Sequence, residues 1–252
     1  MSGQAVESRP SSRDENFDLP AAYAVISELV GLTGAGGWQT TGRKIGFTNK
    51  AVWPRLGLDT IVWGYVYDAT VRYAQNNEIE YSLARTVAPR IEPEIVFKLK
   101  APLTNTSDPK KVLEAVEWFA LGYEIVDCPY PNWRFRPADM VAAFGFHSGL
   151  VIGEPQRLGD LAKVAEALPN IKLKLSKNGE IAAEGVGSNV FDSPALCLGQ
   201  LAVTVKGADP LAAGEVVTSG TITDAQPVAP GETWTAELEG LPLPRLTIKF
   251  TS

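Results

Sequence analysis

The sequence predicts an α+β protein dominated by short strands, and three observations carry that reading. β-Branched and aromatic runs recur along most of the 252 residues, bounded by Gly, Pro, Asn and Asp, which is the patterning of strands and turns. Only a few stretches have a capping residue followed by apolar positions three and four apart, the mark of a helix. No internal repeat or long linker breaks the chain into an array.

The elements follow in order. Residues 1–17 are polar and mixed in charge and read as a disordered or loosely attached tail. Asp18 caps a helix that enters at Leu19-Pro20, with Ala22, Tyr23, Ile26, Leu29 and Val30 on one face. Gly34 to Gly37 end it. Lys44 to Thr48 and Ile61 to Tyr67 look extended, giving a small N-terminal lobe over 18–75 and a larger domain over 76–252. Ile95 to Leu99 and Leu121 to Asp127 are strands. Between them Ser107-Asp108-Pro109 opens a helix whose buried stripe is Val112, Leu113, Val116 and Phe119. A short helix covers Pro137 to Phe144 and closes at Gly145. Asn178-Gly179, flanked by Lys172 to Ser176 and Ile181 to Gly185, is the strongest hairpin signal in the chain. Ser193-Pro194 starts a further helix to about Val203. Strands at Glu215 to Ser219, Thr233 to Leu238 and Leu246 to Phe250 complete the fold.

Composition excludes several function classes. Apolar residues are 45% and charged residues 21%, ordinary for a globular protein. A net charge of −6 argues against a nucleic-acid groove, which needs clustered Lys and Arg. Lys110-Lys111 shares its predicted face with Glu114 and Glu117, a solvated surface. The N-terminus lacks an apolar core for secretion, and no stretch approaches the roughly 18 to 20 apolar residues of a membrane span. Two cysteines, Cys128 and Cys197, form no CxxC pair, and His147 is the one histidine. Zinc sites of Cys and His are therefore excluded, and a reduced, cytoplasmic setting is expected.

The chemistry-bearing candidates are carboxylates. Side chains alternate along Arg90 to Leu99, so Glu92 and Glu94 share a face about 7 Å apart. Such a pair is ordinary on a solvated strand, but Glu124 lies in the apolar run Leu121 to Val126. A buried carboxylate needs a cation or strong hydrogen bonds. Three carboxylates from two strands form a hard oxygen site suited to magnesium or manganese; pairing of Glu124 with an arginine such as Arg90 is the alternative. Lys44 stands between Gly42 and Gly46, where a ligand can approach closely, and a lysine near a metal moves protons near neutral pH. Asp68 is a candidate partner, and His147, at a strand boundary between glycines, a further one. The Thr218 to Gly231 segment is rich in hydroxyls and glycine, so Thr218, Gly220 and Thr221 are candidates to bind a substrate carboxylate.

Taken in order, these segments resemble the fumarylacetoacetate hydrolase superfamily, in its 2-keto-4-pentenoate hydratase and 4-oxalocrotonate decarboxylase branch. The resemblance runs from Ala21 to Val25 through Gly42 to Thr48, Arg90 to Glu94, Tyr123 to Asp127, Asp139 to Ala142 and Thr218 to Gly231. It implies a mixed, rolled β-sheet core, a divalent metal on Glu92, Glu94 and Glu124, and Lys44 and Asp68 as acid–base residues. It also implies a small 2-oxo acid substrate, hydrated or decarboxylated through an enolate, and a homo-oligomer. The sequence departs from the family at Ala143-Phe144, where a polar pair is usual, and at His147, where a small hydroxyl residue is usual. Asp127-Cys-Pro129 replaces Asp-Ser-Arg and removes a partner for the substrate carboxylate. Asp192-Ser-Pro194 replaces Gly-His-Pro. Two alternatives therefore stand beside the lyase: a C–C bond hydrolase with His147 as base, and an inactive keto-acid-binding relative.

Overall fold

The computed structural model describes residues 4–103, 106–205 and 210–252. Helix α1 (Pro10–Arg13) precedes α2 (Leu19–Ala35). The Asp18 side chain accepts a hydrogen bond from the Ala21 amide and caps α2, while Ala22 and Ile26 are its buried residues. Residues 4–17 are not a loose tail. The Val6 amide donates to the Pro129 carbonyl at 2.9 Å. Ser11 is buried and donates to the Asp139 carboxylate from its amide at 2.8 Å and its hydroxyl at 2.7 Å. A fully buried carboxylate draws whatever donors the chain offers, and this one draws the N-terminal segment down.

Strands β1 (Thr40–Gly46), β2 (Val62–Tyr67), β3 (Val71–Tyr73), β4 (Glu78–Ser82) and β5 (Pro89–Leu99) follow, with α3 (Trp53–Leu56) after β1. Next come α4 (Pro109–Glu114), β6 (Val116–Asp127), α5 (Pro137–Ala142) and β7 (His147–Ile152). Helix α6 (Leu161–Ala167), the hairpin β8 (Lys172–Lys177) and β9 (Glu180–Val186), and α7 (Pro194–Thr204) lead to β10 (Val216–Thr218), β11 (Gln226–Pro227), β12 (Thr233–Glu239) and β13 (Leu246–Thr251).

Two mixed sheets form. The larger runs β2-β1-β10-β5-β6-β7-β3, with β11 also on β5; the smaller runs β4-β13-β12-β8-β9. The pairs β1–β10, β3–β7 and β4–β13 are parallel, which makes each sheet mixed. Buried side chains of both sheets, among them Phe97, Phe119, Tyr123, Trp234 and Phe250, belong to one apolar core. The Tyr123 hydroxyl donates across it to the Leu246 carbonyl at 2.7 Å. The α+β class and the mixed, rolled core expected from the sequence are both present.

Two further expectations are corrected. The boundary between a lobe over 18–75 and a domain over 76–252 does not appear, because β1, β2 and β3 hydrogen-bond into the same sheet as β5 and β6. The helix opened by Asp108 ends at Glu114 instead of running through Phe119. Val116 and Phe119 are strand residues opposite Leu99 and Phe97. Cross-strand burial of aromatic and β-branched side chains outweighs a helical spacing that two turns satisfy by chance.

Candidate metal centre

Strands β5 and β6 pair antiparallel with Glu92 opposite Glu124 and Glu94 opposite Gly122. One carboxylate oxygen from each of Glu92, Glu94 and Glu124 lies within 4.8 Å of the others. Glu94 and Glu124 are fully buried, and Glu92 keeps a partial opening to solvent. The Gly220 amide holds Glu94 through Oε2 at 2.7 Å. Oε1 of Glu94 is buried with no partner of ordinary geometry, although the Thr218 hydroxyl lies alongside. Gly220 has φ +91°, and a Cβ there would stand 2.4 Å from Thr48 Cγ2. Only glycine brings an amide to Glu94 at this point.

Lys44, on β1, is 1% exposed. Its Nζ lies 2.9 Å from Glu124 Oε2. Gly145, at φ +63°, admits its stem, since a Cβ there would meet Lys44 Cδ at 3.0 Å. On the other side of Glu124, a bulge between Ile125 and Val126 sets Val126 opposite His147, and such an extra residue re-aims side chains. His147 Nδ1 lies 2.9 Å from Glu124 Oε1, and Nε2 lies 2.8 Å from the Thr70 hydroxyl.

The electrostatics follow from burial against charge. Burial pushes Glu92 up to about 7, moderated by Lys44 and reinforced by Glu124. Burial, with Glu124 and Glu92 beside it, pushes Glu94 well above the usual carboxylate range. Burial would also raise Glu124, but Lys44 and His147 outweigh it and hold that carboxyl low. Burial opposes the charge on Lys44, and the three glutamates outweigh burial and hold it as an ammonium. An all-oxygen set with two reluctant carboxylates and an underused buried oxygen fits a hard divalent cation.

A cleft of about 290 Å³ opens over this cluster, with Lys44 and Glu92 in its lining. Phe47, Trp133, Phe135, Met140, Phe146 and Ile222 form much of its wall. The predicted site residues divide. Lys44, Glu92, Glu94, Glu124 and His147 come together, and Thr221 lines the cleft. Gly220 does not present its amide to a substrate, because Glu94 takes it. Thr218 is fully buried beside Glu94 instead of facing the cleft. Asp68 does not join the site. It is exposed, and its Oδ1 accepts from the Gln39 and Ala69 amides at 3.0 and 2.7 Å, the work of a turn residue. His147 touches Glu124 but lines a separate crevice of about 240 Å³ with Trp38, Tyr67 and Phe144, so its ring supports the Glu124 carboxylate and is not part of the cleft lining. Sequence reasoning missed the aromatic wall and Thr70, which carry no periodic signal.

The matched family is that of the fumarylacetoacetate (FAA) hydrolase C-terminal domain, over residues 59–249. The chain belongs to this enzyme family. It is 33% identical over 226 residues to the 2-hydroxyhexa-2,4-dienoate hydratase of Comamonas testosteroni, covering 87% of this chain and 82% of the relative. It is 30% identical over 223 residues to a 4-oxalocrotonate decarboxylase of a Pseudomonas species, covering 87% and 81%. The 4-oxalocrotonate decarboxylase from Pseudomonas putida, complexed with magnesium and adipate, superposes with a TM-score of 0.88 at 25% identity, over 98% of this chain and 91% of that one.

Proposed function

We propose that this protein is a divalent-metal-dependent lyase acting on a small 2-oxo or 2-hydroxydienoate acid, by hydration or decarboxylation through an enolate. The observation that carries the reading is the convergence of Glu92, Glu94 and Glu124 with Lys44 at the floor of a cleft. The hydratase and decarboxylase relatives support it, as does the magnesium in the decarboxylase structure. The three glutamates would hold magnesium or manganese, which supplies Lewis acidity toward the carboxylate and 2-oxo oxygens of the acid. Lys44, whose side chain lines the cleft beside Glu92, is the group assigned to carry the proton. Its charge depends on the three carboxylates, so neutralising them leaves burial unopposed and eases release of its proton. Glu124 fixes Lys44 in place, His147 fixes Glu124, Thr70 fixes His147, and the apolar wall limits water around an enolate.

The hydrolase alternative requires His147 to activate water in the cleft, and the imidazole is not part of that lining. An inactive binder has no need of a buried lysine held against three carboxylates. Assay of the purified protein with magnesium against 2-hydroxypenta-2,4-dienoate, 4-oxalocrotonate and an acylpyruvate tests the reading: turnover of either of the first two is expected. Turnover of the acylpyruvate alone, or of none, would refute it.

The same reading includes a cytoplasmic protein assembled from two or more copies. Both cysteines are buried and free, and no described helix is long and apolar enough to cross a membrane. Leu32 is 69% and Ile181 61% exposed, apolar surface that a second copy would cover.

A further inference from the structure

The reacting end of the cleft is defined by Lys44 and Glu92, so the remaining wall meets the rest of the substrate. That wall is aromatic. Phe135 packs on Phe146 with ring centroids 4.7 Å apart, and Trp133 and Phe47 lie 6.3 and 6.5 Å from Phe135. Phe47, Trp133 and Phe146 all have left-handed backbones, with φ of 55°, 53° and 59°. Non-glycine residues are held there at a cost that the surrounding structure must offset, a feature that concentrates at ligand sites. Here the strain turns three large rings toward one space.

Charge in that space has one sign apart from Lys44. Lys44 is the only cation among the described lining residues, and Glu124 already holds it. Glu184 and Asp224, both exposed, also line the cleft. Arg90 shares a strand face with Glu92, but it is not in the lining and lies 4.2 Å from the Trp133 ring centroid. A carboxylate at the far end of a substrate would lose water against aromatic rings, find no counter-ion among the described lining residues, and face two acidic groups.

We infer that the aromatic end of the cleft selects an uncharged, apolar tail on the substrate and rejects a second carboxylate. The inference rests on the proposed function, since it concerns the tail of the same 2-oxo acid. It narrows the reaction as well: monocarboxylic 2-hydroxydienoates, which are hydrated, fit this cleft, and dicarboxylic 2-oxo acids, which are decarboxylated, do not. Phe135, at the centre of the cluster, is the specificity-determining residue.

The test uses the full-length protein with magnesium and two unreactive ligands of equal length, 2-oxohexanoate and 2-oxoadipate, which differ in a terminal carboxylate. Isothermal titration should show the monoacid binding at least about tenfold more tightly. Phe135→Arg should reduce or reverse that ratio. Asp224→Lys, a surface change that spares the packing, should raise diacid affinity relative to monoacid affinity. Magnesium-dependent binding of both acids with equal affinity, or a tighter diacid, would overturn the inference and leave the lyase reading standing, with Arg90 as the group that meets the second carboxylate. Failure of both acids to bind with magnesium would remove the lyase reading and this inference with it.

Discussion

At the scale of single residues, the candidate centre behaves as a set of charges that burial sets against one another. Glu94→Gln removes one repelling carboxyl from a fully buried position. It is expected to lower magnesium affinity by at least about tenfold while leaving a folded protein whose metal-free form melts no lower than the parent; unchanged affinity by calorimetry would refute the ligand assignment. The raised carboxyls also set a pH dependence. A carboxyl whose folded pKa lies above its unfolded value binds protons more tightly when folded, so its effect on stability is most favourable at low pH and is lost as pH rises. For Glu92, pushed up to about 7, that window runs from the ordinary carboxylate range to about pH 7. The metal-free protein should therefore lose stability to urea across that interval, and saturating magnesium should flatten the loss. His147→Ala leaves the Glu124 carboxylate without its imidazole partner. Metal affinity should fall by about 10- to 100-fold, the usual effect of removing such support, and the magnesium needed for half-maximal activity should rise with it. A loss of kcat at saturating magnesium with no change in metal affinity would instead restore a direct catalytic role.

At the scale of elements, local signals located some parts of the fold and misread others for identifiable reasons. The cap at Asp18, the Asn178-Gly179 turn and the start at Ser193-Pro194 were legible because each depends on a few neighbouring residues. The three glutamates and Lys44 were legible because charge inside apolar or glycine-flanked strands is costly without a purpose. The helix extended to Phe119 fails because Val116 and Phe119 satisfy a helical spacing while their burial partners, Leu99 and Phe97, lie on another strand. The aromatic wall is illegible for the same reason. Phe47 follows β1, Trp133 and Phe135 precede α5, and Phe146 precedes β7, so only the fold brings them together. Asp68 reads as a catalyst from its place after a strand, yet the same place suits a turn. The loop after β10 is where an element boundary and the site coincide. Gly220→Ala must fit a methyl group 2.4 Å from Thr48 Cγ2 at φ +91°. A stability loss of about 1–3 kcal/mol is expected, with weaker metal binding because the amide on Glu94 shifts. Thermal melts with and without magnesium read both.

At the scale of the whole molecule, one continuous sheet carries both the lysine and the carboxylates, so the centre is preorganised and does not depend on closure of two lobes. Light scattering at micromolar concentration should give a mass of at least two copies, and a monomer would count against the proposed assembly. The segment before Asp18 has a reach that its polar composition conceals. Asp139 receives three hydrogen bonds, two from Ser11 and one from the Arg136 amide, and the next residue on α5, Met140, is part of the cleft wall. A peptidase that trimmed the chain back to Asp18 would strand that carboxylate in the interior with a single donor and slacken the helix that carries the wall. Trimming would then act as an irreversible antagonist of a cleft that the peptidase never enters, eroding the proposed hold on an acid's tail before the proposed grip on metal.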